Sequence, residues 1–185
     1  MKNHFFLAIP LPGSWKEEFS FYIQKINSKF PFARWVHPDD LHITLAFLGS
    51  VDEDQKEKLK VLLRKVAKEH ATFPLSFSEL GTFGNQHSPR IFWYGTEESY
   101  ALHELRKDVY QACEKVGFQL DTRPFHPHIT LARKWVGPGS ISRDTLPEYS
   151  TIKNTFNVRS IILYETHINK IPKYEAKAEF PLIGE

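Results

Sequence analysis

Cysteine is all but missing from this chain of 185 residues, where Cys113 stands alone. A lone thiol excludes an intrachain disulfide framework and any metal site built from several thiolates, so nothing calls for an oxidising compartment and the cytosol is the expected location. Net charge is scarce too. Lys and Arg number 24 against 22 Asp and Glu, a formal +2, which leaves no broad basic field for gripping long nucleic acid, because such binding neutralises many phosphates at once. If RNA or a nucleotide binds, a local site must hold it. Long apolar runs are also lacking. Phe5 to Ile9 is cut short by Pro10 and Pro12, too brief for a secretory core, and no later stretch approaches the roughly 20 apolar residues of a transmembrane helix. A soluble protein with no membrane partner is expected. The turn-rich stretches Gly81 to Pro89 and Gly137-Pro138-Gly139 lack the lysine-bearing glycine pattern that cradles nucleotide phosphates, which excludes a P-loop.

What is present suits a globular core: 41% hydrophobic residues with 15 Phe, 7 Tyr and 4 Trp, in a length that fits one domain or two small interlocked lobes. Three helices are predicted. The first opens on Ser14 and Glu17 as a capping box and carries Trp15, Phe19, Tyr22, Ile23 and Ile26 at helical spacing. The second begins near Asp52 with Gln55 in the capping position and lines up Leu59, Leu62, Leu63, Val66 and Ala67. The third runs from about Glu98 to Val116, with Gly117 as its C-terminal cap and Cys113 on its apolar stripe. Strand-like runs interleave with them at residues 5–9, 41–48, 75–77, 91–94, 126–132, 158–164 and 174–180. Between Lys134 and Tyr149, Pro138 and Pro147 interrupt any long amphipathic stripe.

The most informative feature is an internal echo: Leu41-His42-Ile43-Thr44-Leu45-Ala46 returns as Pro127-His128-Ile129-Thr130-Leu131-Ala132. Chance repetition of such a word inside two strand-like runs is improbable, and duplication is the simpler origin. Side chains alternate along a strand, so His42 and Thr44 share one face while Ile43 and Leu45 take the other, and the second copy repeats the pattern. The apolar faces must pack on helices. The His/Thr faces are costly to bury unless they line a polar groove, and pseudo-two-fold pairing would bring two imidazoles and two hydroxyls into it. That set suits phosphoryl chemistry without a metal. A neutral imidazole takes a proton from water, a protonated one gives a proton to a leaving alkoxide, and an unperturbed pKa near 6.5 lets both forms coexist around neutrality. The threonine hydroxyls can donate to non-bridging phosphate oxygens.

With Arg34-Trp35-Val36, Asp40 to Gly49, Pro89 to Trp93 and Phe125 to Arg133, these motifs make the chain resemble the 2H phosphoesterases, and among them the RNA 2′,3′-cyclic phosphodiesterases, also called the 2′-5′ RNA ligase family. The resemblance spans about Phe5 to Leu182. It implies an α+β, bilobal, pseudo-two-fold duplicated fold, with mostly antiparallel sheets, helices packed outside and a central cleft, residues 1–185 forming one domain of two interleaved lobes. It implies hydrolysis of 2′,3′-cyclic phosphodiester ends of RNA to 2′-phosphomonoesters, with His42 as proton donor to the departing 3′ oxygen and His128 as acceptor from water. Reversible 2′-5′ ligation belongs to the same reading. Neither cofactor nor metal is expected, the partners are RNA ends or small nucleotides bearing the cyclic phosphate, and a monomer with no obligate protein partner is expected. In this resemblance the counterpart of the second helix is shortened or missing.

Among further candidates, Arg133, Arg90 and Arg123 could each offer phosphate a planar donor fork, Arg133 being preferred. Alternation counted from Thr130 points Arg133 to the opposite face unless the strand ends or bulges first. Trp35, Phe47 and Phe125 could stack a base. Three alternatives remain: a zinc site drawn from His42, His126 and His128, a phosphodiesterase for another small cyclic nucleotide, and a non-catalytic module that binds RNA ends. His4, His70, His87, His103 and His167 have no patterned partner and are read as surface residues.

Overall fold

The apolar stripes and alternating runs fold into nine strands and four helices in a computed structural model, which describes residues 2–184. In chain order these are β1 (His4–Pro10), α1 (Gly13–Ile26), β2 (Phe32–Trp35), β3 (His42–Ser50), α2 (Glu53–Glu69), β4 (Phe73–Gly84), β5 (Pro89–Thr96), α3 (Tyr100–Val116), β6 (His128–Trp135), α4 (Leu146–Tyr149), β7 (Thr155–Val158), β8 (Ser160–Thr166) and β9 (Tyr174–Pro181). Short 3-10 turns at Pro38–Asp40 and Arg143–Thr145 precede β3 and α4. No helix among the described residues is long and apolar enough to cross a membrane.

The helix boundaries follow local hydrogen bonding. At α2 the predicted capping box is present: Asp52 Oδ1 accepts from the Gln55 amide at 2.8 Å and Gln55 Oε1 accepts from the Asp52 amide at 3.3 Å. α3 begins at Tyr100, two residues after the expected start near Glu98, with the Ser99 hydroxyl accepting from the Leu102 amide as its cap, and Gly117 at φ 101° ends it in the left-handed region where a side chain would strain the backbone. The box predicted for α1 does not form. Pro12 occupies the N-cap with no side-chain cap, its carbonyl takes the amides of Trp15 and Lys16, and Ser14 lies inside the first turn. Cys113 is fully buried on α3, and burial pushes its thiol up to about 12.

All strand pairs among the described strands are antiparallel, in the order β7-β4-β5-β6-β3-β1-β8-β9, with β2 also on β6. Divided between β6 and β3, this order shows the duplication. Each motif strand is innermost; the strand that opens its half of the chain, β1 or β5, lies beside it, and β8 or β4 comes next. The halves interleave because β4, from the first half, pairs with β5, while β8, from the second, pairs with β1. Helices cross in the same way. α1 buries Phe19 against Phe77 and Tyr94, at ring separations of 5.2 and 5.6 Å, on the β4-β5 side. α3 packs on β3 and on α2, which also covers β9. The counterpart of α2 is the four-residue α4, tied to α1 by the Tyr22 hydroxyl donating to the Tyr149 carbonyl at 2.6 Å. Pro147 stands in the first turn of α4, where its missing amide has no helical acceptor to lose, and the helix spans four residues where the other lobe has 17.

Three strand features were invisible to periodicity. β2 and β7 are four residues each, too short for alternation to show. β4 runs on to Gly84, through the Gly81 that reads as a turn signal. Gly81 is needed because the Trp93 ring lies against its α-carbon, where an added Cβ would sit 2.2 Å from the indole. The second motif strand begins at His128 rather than His126, since His126 and Pro127 belong to the approach loop.

Candidate active site

The motif strands touch at one residue pair, Ile43 opposite Ile129, before β2 takes the place beside β6. That contact fixes the site. Residues directly opposite in an antiparallel pair point to the same face, so with both isoleucines fully buried in the helix-side core the flanking residues take the other face. Antiparallel register sets His42 across from Thr130 and Thr44 across from His128, giving a four-residue patch of two imidazoles and two hydroxyls.

The two copies also orient their rings alike. His42 Nδ1 lies 2.7 Å from the Asp40 carbonyl and His128 Nδ1 lies 2.7 Å from the His126 carbonyl. A carbonyl only accepts, so both Nδ1 atoms carry hydrogen and both Nε2 atoms are left for chemistry. His42 Nε2 stands 2.9 Å from Thr44 Oγ1, whose hydroxyl donates to the neutral ring. Beneath His42 is a small apolar cluster of Phe6, Ala8, Ile162 and Tyr164 with Tyr174, and the Phe6 and Tyr174 rings come within 4.9 and 5.2 Å of the imidazole. Burial against these rings holds His42 down to about 4; the carbonyl and charge of Asp40 pull upward, and His128 and Arg133 push further down. His128, beside Phe83 at 4.9 Å and near Trp93, is also lowered, first by burial, against the pull of the His126 carbonyl, with the His126 ring and Arg133 adding to the fall. Both rings therefore rest neutral at pH 7, which corrects the expectation of two ordinary values near 6.5.

Arg133 reaches the same face through a bulge. Trp93 pairs with Thr130 and Phe92 with Ala132, so Leu131 is an extra residue; Leu131 and Ala132 are both buried, and alternation restarts with Arg133 beside Thr130. Its charge acts on both imidazoles and on the Tyr174 hydroxyl. The first motif strand bulges at the same place, with Ala8 opposite Thr44 and Leu7 opposite Ala46, which returns Phe47 to the site face, 67% exposed. Pseudo-symmetry thus matches a guanidinium on one lobe with a phenyl ring on the other. Arg34, directly opposite Arg133 on β2, adds a second cation to that face.

The remaining candidates lie elsewhere. Trp35 packs against the core with Phe32 and Phe92. Phe125 lies under the Arg106 guanidinium, 4.8 Å from its ring centre, beside a hollow of about 200 Å³ that it shares with Trp93 and His126. Arg123 is held by Asp121 at 2.8 Å, and Arg90 is exposed at the start of β5. Four histidines read as surface residues are not free: His70, 15% exposed, bonds Asp108 at 2.7 Å to tie α2 to α3, His167 bonds Glu175 at 2.7 Å, His87 bonds the Ser140 hydroxyl, and His103 stands 3.6 Å from the Glu98 carboxylate. The grouping with metal-ligand spacing among the described residues is Glu165, His167 and Glu175 on the β8-β9 hairpin, which omits all three histidines of the zinc alternative. The Lys177 ammonium stands 3.5 and 3.2 Å from its two carboxylates. Sequence reasoning missed Asp40, Phe6, Tyr164 and Tyr174, because what places them is pairing between strands far apart in the chain.

A family model described as the 2′-5′ RNA ligase superfamily matches residues 11–168. A protein of Geobacillus stearothermophilus named RNA 2′,3′-cyclic phosphodiesterase is 46% identical over 183 residues, covering 99% of this chain, which spans 58% of that relative's length. A Bacillus subtilis protein of the same name is 34% identical over 185 residues, covering 98% of each. Among solved structures, the apo form of E. coli LigT aligns over 100% of both chains at 25% identity with a TM-score of 0.75. E. coli LigT complexed with 3′-AMP aligns over 100% of both at 24% identity with a TM-score of 0.80, a likeness of fold.

Proposed function

The chain belongs to the 2′-5′ RNA ligase superfamily, and from that premise we propose that it opens the 2′,3′-cyclic phosphodiester at RNA ends to a 2′-phosphomonoester, by acid and base catalysis from His42 and His128. The observation that carries this reading is the single register pair, Ile43 with Ile129, which puts both histidines and both threonines on one face of the sheet. His128 Nε2 takes a proton from water as the water attacks phosphorus. His42 Nε2 gives a proton to the departing 3′ oxygen, and its low resting value makes it a strong acid once protonated. Thr44, Thr130 and Arg133 hold the non-bridging oxygens as negative charge gathers on them, and Phe47 offers a face for a neighbouring base. No residue in this scheme needs a metal. The names of both relatives support the substrate class. A single buried thiol suits work in the cytosol, and nothing in the scheme needs a second copy of the chain.

With excess chelator present, a cyclic-phosphate dinucleotide followed by phosphorus NMR should open at the undiminished rate to the 2′-phosphate. A 3′-phosphate product, or arrest by the chelator, would overturn the reading.

The pH profile carries a second expected outcome. One imidazole must be charged and the other neutral, so rate against pH is bell-shaped. Both groups are depressed in the free protein, which places both limbs of kcat/KM below about pH 6.5. A phosphodiester keeps its negative charge across this range and favours the imidazolium, so both limbs of kcat should move to higher pH. Superimposable profiles for kcat and kcat/KM, or a kcat/KM bell centred above pH 7, would contradict the lowered resting values.

A further inference from the structure

The two motif strands are near copies, so something outside the motifs must decide which imidazole holds a proton. The residues two places ahead of each histidine make the same backbone contact and differ in charge. Asp40 is 5% exposed, its carboxylate accepts the amides of Lys173 at 2.8 Å and Tyr174 at 3.1 Å, and its carbonyl orients His42. His126 is exposed, its carbonyl orients His128, and its ring centre lies 6.3 Å from that of His128.

We propose that Asp40 and His126 are a pair of positioning residues, a buried carboxylate behind one catalytic ring and an imidazole behind the other, that break the pseudo-two-fold symmetry and set the direction of proton transfer. The carboxylate behind His42 favours a proton on that ring against the effect of its burial, and the imidazole behind His128 disfavours one there. This rests on the paired-histidine reading above. The groups facing His42 are Asp40, His128 and Arg133 from β6, Tyr164 from β8 and Tyr174 from β9; Asp40 is the anion among them. Those acting on His128 are His126, Arg133 and His42, with Phe83 and Trp93 packed beside it, and they bring no anion. Glu79, Glu97, Glu98 and His103 line the hollow on the other side of His126, which His128 does not border. Opposite charge favours an imidazolium and like charge disfavours it, so the two backings act in opposite directions on the two rings.

The test uses the whole chain and two readouts that a purely structural role would not move. In nitrogen-15 NMR titrations of the imidazoles, Asp40→Asn should lower the midpoint of His42 and leave that of His128 in place, while His126→Asp, at an exposed position, should raise that of His128. In kinetics, Asp40→Asn should lose about 10-fold or more on an ordinary 2′,3′-cyclic phosphate but under about threefold on the analogue with sulfur at the 3′ bridging position, whose thiolate leaves without a proton. Equal losses on both substrates, or midpoints of both histidines moving together in Asp40→Asn, would overturn the proposal. Should Asp40→Asn fail to fold, His126→Asp decides: a His128 midpoint that stays put or falls overturns it. None of these results touches the paired-histidine reading, which is tested separately by His42→Ala and His128→Ala.

Discussion

Replacing His42 or His128 by alanine is expected to slow the opening of a 2′,3′-cyclic phosphate by roughly 10²- to 10⁴-fold each, the usual contribution of a positioned proton-transfer group. That corresponds to about 3 to 5 kcal/mol of barrier. The fold should survive both changes, because the strands are anchored by Ile43, Leu45, Ile129 and Leu131 on the opposite face, all at most 2% exposed. The two variants should differ in kind. Loss of His42 removes the acid, so the 3′-sulfur analogue should recover most of the rate, whereas loss of His128 removes the base and should slow both substrates alike. Measuring kcat/KM for the two variants on the two substrates, with circular dichroism as the check on folding, separates the roles. Near-normal turnover by either variant on the ordinary substrate would remove that histidine from the chemistry. Recovery in His128→Ala instead of His42→Ala would exchange the donor and acceptor.

Arg133→Met is expected to lower kcat/KM by about 10²-fold, the scale on which a preorganised donor to transition-state charge acts. The guanidinium would meet phosphate as a charge-assisted fork, and Arg133→Lys should restore only part of the loss, since an ammonium is a point charge without that planar geometry. Electrostatics adds a second signature. Arg133 helps to hold both imidazoles low, so its removal should shift the kcat/KM bell to higher pH at the same time as it lowers the maximum. A lowered maximum with an unmoved bell would mean that Arg133 acts on substrate from outside the field of the two rings. An unchanged kcat/KM would remove Arg133 from the site.

How far the sequence discloses this site depends on how locally each feature is encoded. His42, Thr44, His128 and Thr130 are legible because strand periodicity places them on one face and the duplication supplies their partner. Arg133 breaks the same rule, since the extra residue Leu131 reverses the parity, and a bulge lies in the pairing with Phe92 and Trp93 rather than in the motif. The depressed imidazoles were out of reach for a related reason: the rings that desolvate His42 come from β1, β8 and β9, brought together by a sheet order that composition does not encode. Helix limits fared better where the cap is a side chain read from the sequence, as at Asp52, and worse at Pro12, where the backbone alone does the capping. Gly81 is the opposite case. Its meaning resides in the Trp93 ring lying on it, so a residue read locally as a turn sits inside a long strand.

That two imidazoles act on one phosphorus from opposite sides can be tested by the stereochemistry of the displacement. A 2′,3′-cyclic phosphorothioate of single configuration, opened by the protein in ¹⁸O-labelled water, should give a 2′-thiophosphate inverted at phosphorus, because water enters in line with the departing 3′ oxygen. Retention would point to two successive displacements through a covalent phosphoryl-protein intermediate or to adjacent attack with pseudorotation, and one pair of histidines passing protons across a single in-line step could produce neither.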